Sequence, residues 1–215
     1  MEASTVRPDR RFEREPAEGT SASPPLAPAI ADPAPLGLAA FALTTFVLSF
    51  FNAGIVGEAG EPIVLGIALA YGGLAQVLAG MWEFRNNNTF GATAFTSYGA
   101  FWLSLWAFNQ FFADKVPAAA TGDAVGLYLV AWGIFTTYML VASLRTTAAI
   151  SLVFVLLSIT YFLLGIGNWA DVDGLVKAGG WFGIATAAAA WYASFAGVAN
   201  STFGRTVLPV RPLMR

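Results

Sequence analysis

The amino-acid sequence predicts an all-α integral membrane protein: six transmembrane helices surrounding a central pathway, with the N- and C-termini cytoplasmic. Three observations carry this. Of the 215 residues, 57% are hydrophobic and 11% charged, whereas soluble domains carry roughly 25% charged residues. The apolar residues gather into runs near the ~20 residues that cross a bilayer core as a helix. Arginine falls almost wholly on one side of those runs, the asymmetry that sets orientation in a membrane.

In chain order, residues 1–32 read as a disordered cytoplasmic tail. Arg7, Arg10, Arg11 and Arg14 alternate with Asp9, Glu13, Glu15 and Glu18, followed by Pro24-Pro25. Nothing there buries enough apolar surface to offset chain entropy. It also lacks the apolar core of a secretory signal. The membrane domain spans 33–203, with spans expected at 36–56, 63–84, 90–112, 124–143, 147–167 and 175–200. Four junctions are plain: 57–62 with its glycines and Pro62, 85–88 with Asn86-Asn87-Asn88, 113–123, and 168–174. The fifth is only the turn around Leu144-Arg145-Thr146, read as a tight hairpin between two full-length apolar runs. Residues 204–215 form a cytoplasmic C-terminal tail.

With the N-terminus inside, the inner segments hold Arg85, Arg145, Arg205, Arg211 and Arg215 besides the tail arginines. The outer ones hold Lys115 and Lys177 with six acids. This predicts a multi-pass protein of the cell (plasma or inner) membrane. Trp82, Trp106, Trp169 and Trp181 fall near span ends, where indoles anchor. Gly66, Ala70, Gly73, Val77 and Gly80 line up small residues along the second span, and 185–190 thin the sixth. Such surfaces let helices approach closely in lipid, within a protomer or between copies.

The chain has no cysteine and no histidine. Thiolate chemistry, sulfur-ligated metals and the commonest general base are therefore absent. No cofactor or metal is expected, and an enzyme is disfavoured. The net charge of −2 points to no nucleic acid.

What remains is a set of uncharged polar residues inside apolar runs, where such groups normally face a protected interior or a water-filled path. The stretch from Asn86 to Trp102 is the richest. Asn87, Asn88 and Thr89 open it, and Thr93, Thr96, Ser97 and Tyr98 run through its first half. In the first span, Phe41, Thr45, Leu48 and Asn52 share one face. At its start Asp32-Pro33-Ala34-Pro35 serves as a helix start capped by Asp32, or as a vestibule offering free amides near Leu36. Gln76 lies in the middle of the second span and needs a partner. Glu83 is expected at the cytoplasmic rim, paired with Arg85, so a relay of buried carboxylates finds no support. In the fifth span Ser158, Tyr161, Leu163 and Leu164 offer a mixed face that completes a constriction.

Ala34-Pro35-Leu36-Gly37-Leu38, Tyr71-Gly72-Gly73 with Gln76, Asn88-Thr89-Phe90-Gly91, 97–103 and 203–209 together resemble the acetate uptake transporter family. The resemblance covers about 32–209. It implies a six-helix protomer, a homohexamer with one pathway per protomer, and passage of acetate, other small monocarboxylates and succinate. It further implies a waist made of an aromatic, a tyrosine and a leucine, matched here by Phe41, Tyr98 and Leu163 or Leu164. The family's opening motif starts with asparagine where this chain has Asp32.

The combined expectation is a membrane channel or transporter for small carboxylates. Neutral donors (the amides near Leu36, Thr45, Asn52, Gln76, Asn87, Asn88, Thr89, Thr93, Thr96 and Ser97) replace hydration, and Tyr98 donates its hydroxyl to the passing anion. The alternatives are a proton-coupled monocarboxylate symporter, an ammonium pathway, and a non-conducting structural or sensory protein.

Overall fold

A computed structural model describes residues 30–213. Most of the 1–32 tail lies outside them, as do the last two residues of the C-terminal one. Residues from Ala31 onward form one helical unit. Its elements are α1 (Ala34–Asn52), α2 (Ile63–Ile67), a π-helix (Ala68–Ala75), α3 (Gln76–Arg85), α4 (Thr89–Phe111), α5 (Ala118–Ser143), α6 (Ala148–Trp169) and α7 (Asp173–Phe203). Because α2, the π-helix and α3 run on without a break, there are six rods. Five are long and apolar enough to cross a membrane. The exception is α4, of adequate length at 23 residues but diluted by the hydroxyls and amides that singled it out in the sequence.

Helix ends follow local chemistry. Asp32 Oδ1 accepts from Ala34 N–H at 2.9 Å, so the carboxylate caps the start of α1, where Pro33 and Pro35 cost no hydrogen bond. The asparagine cluster is largely a turn. Asn87 takes a left-handed conformation with φ 56°, and Asn88 Oδ1 caps α4 by accepting from Gly91 N–H at 3.0 Å. The α5–α6 hairpin forms at Leu144–Thr147, with Thr147 capping α6. Gly204, at φ 62°, ends α7 in the left-handed conformation that glycine adopts most easily.

The principal packed pairs are α1 with α7, α5 with α6, α6 with α7, and α3 with α4. Small residues sit where backbones approach. A Cβ on Gly180 would lie 2.7 Å from Ala53 Cα, and Ala187 and Ala190 are fully buried. The stripe expected along the second rod divides. Gly80 packs on Thr96 of α4 and Gly73 on Leu103, while Gly66 meets nothing within 4 Å. The cause is the π-helix: each of its turns holds an extra residue, so a pattern counted at 3.6 residues per turn drifts off its face.

The C-terminal segment folds back on the bundle. Asn200 Oδ1 accepts from Val207 and Leu208 N–H at 2.7 and 2.9 Å, and the Tyr192 hydroxyl donates to Pro209 O. Farther along, Ala148 N–H donates to Arg211 O at 2.9 Å and Leu213 N–H to Thr146 O at 3.1 Å. The strap thus pins the α5–α6 hairpin.

Overpacking a close helix crossing costs about 1–3 kcal/mol or more. Gly180→Leu should therefore lower the thermal midpoint of detergent-purified protein, while Gly174→Ala, with nothing within 4 Å of its Cβ, should leave it unchanged. Equal midpoints would rule out the α1–α7 crossing.

Candidate functional site

The starts of α1, α4 and α6 and the end of α3 meet at one end of the bundle, the end carrying Arg85 and Arg145. A cavity of about 140 Å³ opens inward from there, well above the ~10–15 Å³ a single water needs. Its wall is nearly all apolar: Leu38 and Phe41 from α1, Phe95 from α4, and Ile150, Val153, Phe154 and Leu157 from α6. Among its few polar side chains are Gln76, Asn88 and Thr146. Thr146 turns its hydroxyl to Ser143 O at 2.7 Å, and Asn88 spends its oxygen on the α4 cap. Gln76 is different. It is 1% exposed, and its Oε1 has no hydrogen-bond partner among the described residues. A buried acceptor left unmet costs about 1–3 kcal/mol, so this oxygen lacks a donor among its described neighbours.

The inner end of the cavity is an aromatic tier. The Phe41 and Tyr98 rings lie 5.8 Å apart, and Leu157 of α6 shares the cavity with them at 3% exposure. Tyr98 is held by Phe135 at 5.4 Å edge-on, by Trp132 at 6.1 Å and by Phe154 at 6.1 Å. Phe41 comes about 10 Å into α1 and Tyr98 about 13 Å into α4, at 1.5 Å per residue. The tier therefore crosses the bundle well inside its end.

The Tyr98 hydroxyl is committed. It lies 2.9 Å from Thr136 Oγ1, and Thr136 itself donates to Trp132 O at 2.7 Å. A threonine has one hydroxyl proton and a carbonyl only accepts. Tyr98 must then donate to Thr136, and no proton is left for a passing anion. This corrects the expectation of a donating tyrosine; Tyr98 presents its ring instead.

Several expected site residues lie elsewhere. The α6 residues that share the cavity with Phe41 and Tyr98 are Ile150, Val153, Phe154 and Leu157. Leu164 packs on Gly179, and Leu163 is half-buried without lining the cavity. Both are one to two turns past the tier, because a helical face repeats and the sequence does not mark its depth. Leu36 is 46% exposed. Asn87 and Thr89 are exposed, and Thr93, Ser97 and Asn52 half-buried, none of them at the cavity. Thr96 packs on Gly80 with its Oγ1 unpaired, and Thr45 is buried one turn beyond Phe41 with its Oγ1 likewise unpaired. Glu83 is not at the rim. It is fully buried, and Arg85 is exposed without an ion pair among the described residues. Trp132, Phe135 and Thr136 escaped the sequence reading because α5 carries no polar pattern beyond its paired threonines.

A buried hydroxyl pair contributes about 1 kcal/mol. Tyr98→Phe and Thr136→Val should each lower stability by about that much, and the double variant by less than the sum. Additive losses in thermal denaturation would show that the two hydroxyls do not interact.

Comparison with known proteins identifies a family. The profile of the GPR1/FUN34/yaaH family matches residues 15–215. Acetate permease A of Emericella nidulans is 45% identical over 195 residues, covering 84% of this chain and 65% of that protein. The succinate-acetate/proton symporter SatP of Escherichia coli K12 is 41% identical over 181 residues, covering 84% of this chain and 95% of SatP. Ammonia transport outward protein 2 of Saccharomyces cerevisiae is 44% identical, covering 85% of this chain and 68% of that one. Among solved structures, the bacterial acetate channel SatP superposes with a TM-score of 0.80 at 40% identity, covering 85% of this chain and 99% of that chain. The chain is a member of the GPR1/FUN34/yaaH family.

Proposed function

We propose that this chain carries acetate and related small carboxylates, succinate among them, across the cell membrane without transforming them. One observation carries the proposal: the buried Gln76 amide, whose Nε2 hydrogens are neutral donors, stands in the wall of an otherwise oily cavity that holds no lysine or arginine among the described residues. A neutral donor replaces hydration without trapping the anion as a fixed cation would. The names of the bacterial and fungal relatives support the same substrate class.

On this reading the six rods are six spans with both termini cytoplasmic. The cavity is then the cytoplasmic vestibule, since it opens at the end bearing Arg85 and Arg145. A carboxylate enters past Asn88 and meets Gln76. It then passes the Phe41/Tyr98/Leu157 waist, which excludes bulk and sheds water. Beyond the waist the Thr45 hydroxyl, one turn deeper on the same face as Phe41, is the next group without a protein partner. The small faces and exposed aromatics on the outer surface suit a homo-oligomer, a hexamer on the family resemblance.

Losing the Gln76 contact, worth about 1.4 kcal/mol, should slow acetate uptake in proteoliposomes roughly tenfold in Gln76→Leu. Tyr98→Ala should admit bulkier acids, because the ring and not the hydroxyl sets the aperture, and Tyr98→Phe should stay near the parent rate. Unchanged uptake in Gln76→Leu, or loss of selectivity in Tyr98→Phe, would refute this path.

A further inference from the structure

Among the described residues, one carboxyl side chain is fully buried in the bundle and unused by the path just described. Glu83 is 0% exposed. Its Oε2 accepts one long hydrogen bond from Asn86 Nδ2 at 3.3 Å, and its Oε1 has no partner. The carboxyl lies against the first turn of α4. A Cβ on Gly91 would come 2.7 Å from Oε1 and 2.8 Å from Cδ, and Gly91 and Asn88 both line the cavity. Only the width of a glycine separates this carboxylate from the place assigned to the substrate's own.

The charged groups around it are few. On its own helix Arg85 is exposed and makes no ion pair among the described residues. Ahead of α1, Asp32 is the other carboxylate that acts on Glu83. The first half of α4 and the π-helix offer no Asp, Glu, Lys or Arg. Alone, an ionised Glu83 rests on the Asn86 and Asn88 side-chain amides and on the positive end of α4. When a second carboxylate arrives in the same low-dielectric cavity, with no cation to balance the two, like charges at close range cannot both persist.

We propose that Glu83 is the proton site of this pathway, taking up a proton when a substrate carboxylate occupies the adjoining cavity, so that anion and proton move together. The inference rests on the carboxylate reading above. The proton comes from water at the cavity mouth and binds Oε1, whose lone pairs no protein donor occupies, while Asn86 keeps Oε2. No other bond forms or breaks. The protonated Oε1 also becomes a hydrogen-bond donor beside an anion that needs one.

The test uses the full chain in liposomes and records radiolabelled acetate uptake and net charge movement together, with protein-free liposomes subtracted. The parent protein should move acetate with almost no net charge. Its rate at fixed anion concentration should rise by up to about tenfold per unit of acidification, the limit for one linked proton. Glu83→Gln, which holds the neutral shape permanently, should carry one elementary charge per acetate with a flat pH profile. Asp32→Asn should keep the parent's coupling. A parent protein that already carries one charge per acetate, or a Glu83→Gln variant that keeps the parent's pH profile, overturns the proton site and leaves the carboxylate reading standing. Absence of acetate uptake by the parent would sink that reading itself. Should Glu83→Gln fail to insert, the infrared difference spectrum of the parent protein with ¹³C-acetate decides: a new protonated-carboxyl band supports the assignment, and none overturns it.

Discussion

Inside hydrocarbon no water meets a stray donor or acceptor, so each polar atom must find its partner within the protein. The structure obeys this almost everywhere. Thr44, Thr136, Ser158, Thr160 and Thr186 all turn their hydroxyls back to the carbonyl four residues earlier. Among the described residues, the buried side-chain atoms left unmet are Thr45 Oγ1, Gln76 Oε1, Glu83 Oε1, Thr96 Oγ1 and Trp102 Nε1. All belong to α1, α3 and α4, and Gln76 is the one among them that lines the cavity. The side of the cavity from α6 is wholly apolar.

The position of Gln76 depends on the π-helix in the second rod. Gly72 and Gly73 sit within it, and side chains there would collide with Thr44 and Leu103. Both glycines let the wide turn lie flat against α1 and α4. Because the widened turn precedes Gln76 directly, it sets the direction in which the amide leaves the rod. Packing and chemistry meet in the same few residues.

The aromatic tier shows a related economy. Thr136 ties down the Tyr98 hydroxyl, and four neighbouring rings pack around Tyr98, so the inner end of the cavity is closely packed and apolar. On the proposed reading, this fixed ring follows the Gln76 amide and the Glu83 carboxyl.

Much of this was legible in the chain itself. Composition and hydropathy determined the membrane class, and the breaks at glycine, proline and asparagine determined the rods. The family motifs pointed to Phe41 and Tyr98, which both line the cavity. These are local properties, settled by what each segment does to its own backbone and solvent. Tertiary structure alone decided that Leu157, and not Leu163 or Leu164, lines the cavity, that most of the asparagine cluster builds a turn, and that Glu83 lies buried without an ion pair to Arg85. The reason is physical: periodicity places a side chain on a face, but only the neighbouring helix determines whether that face meets lipid, a partner or an empty space.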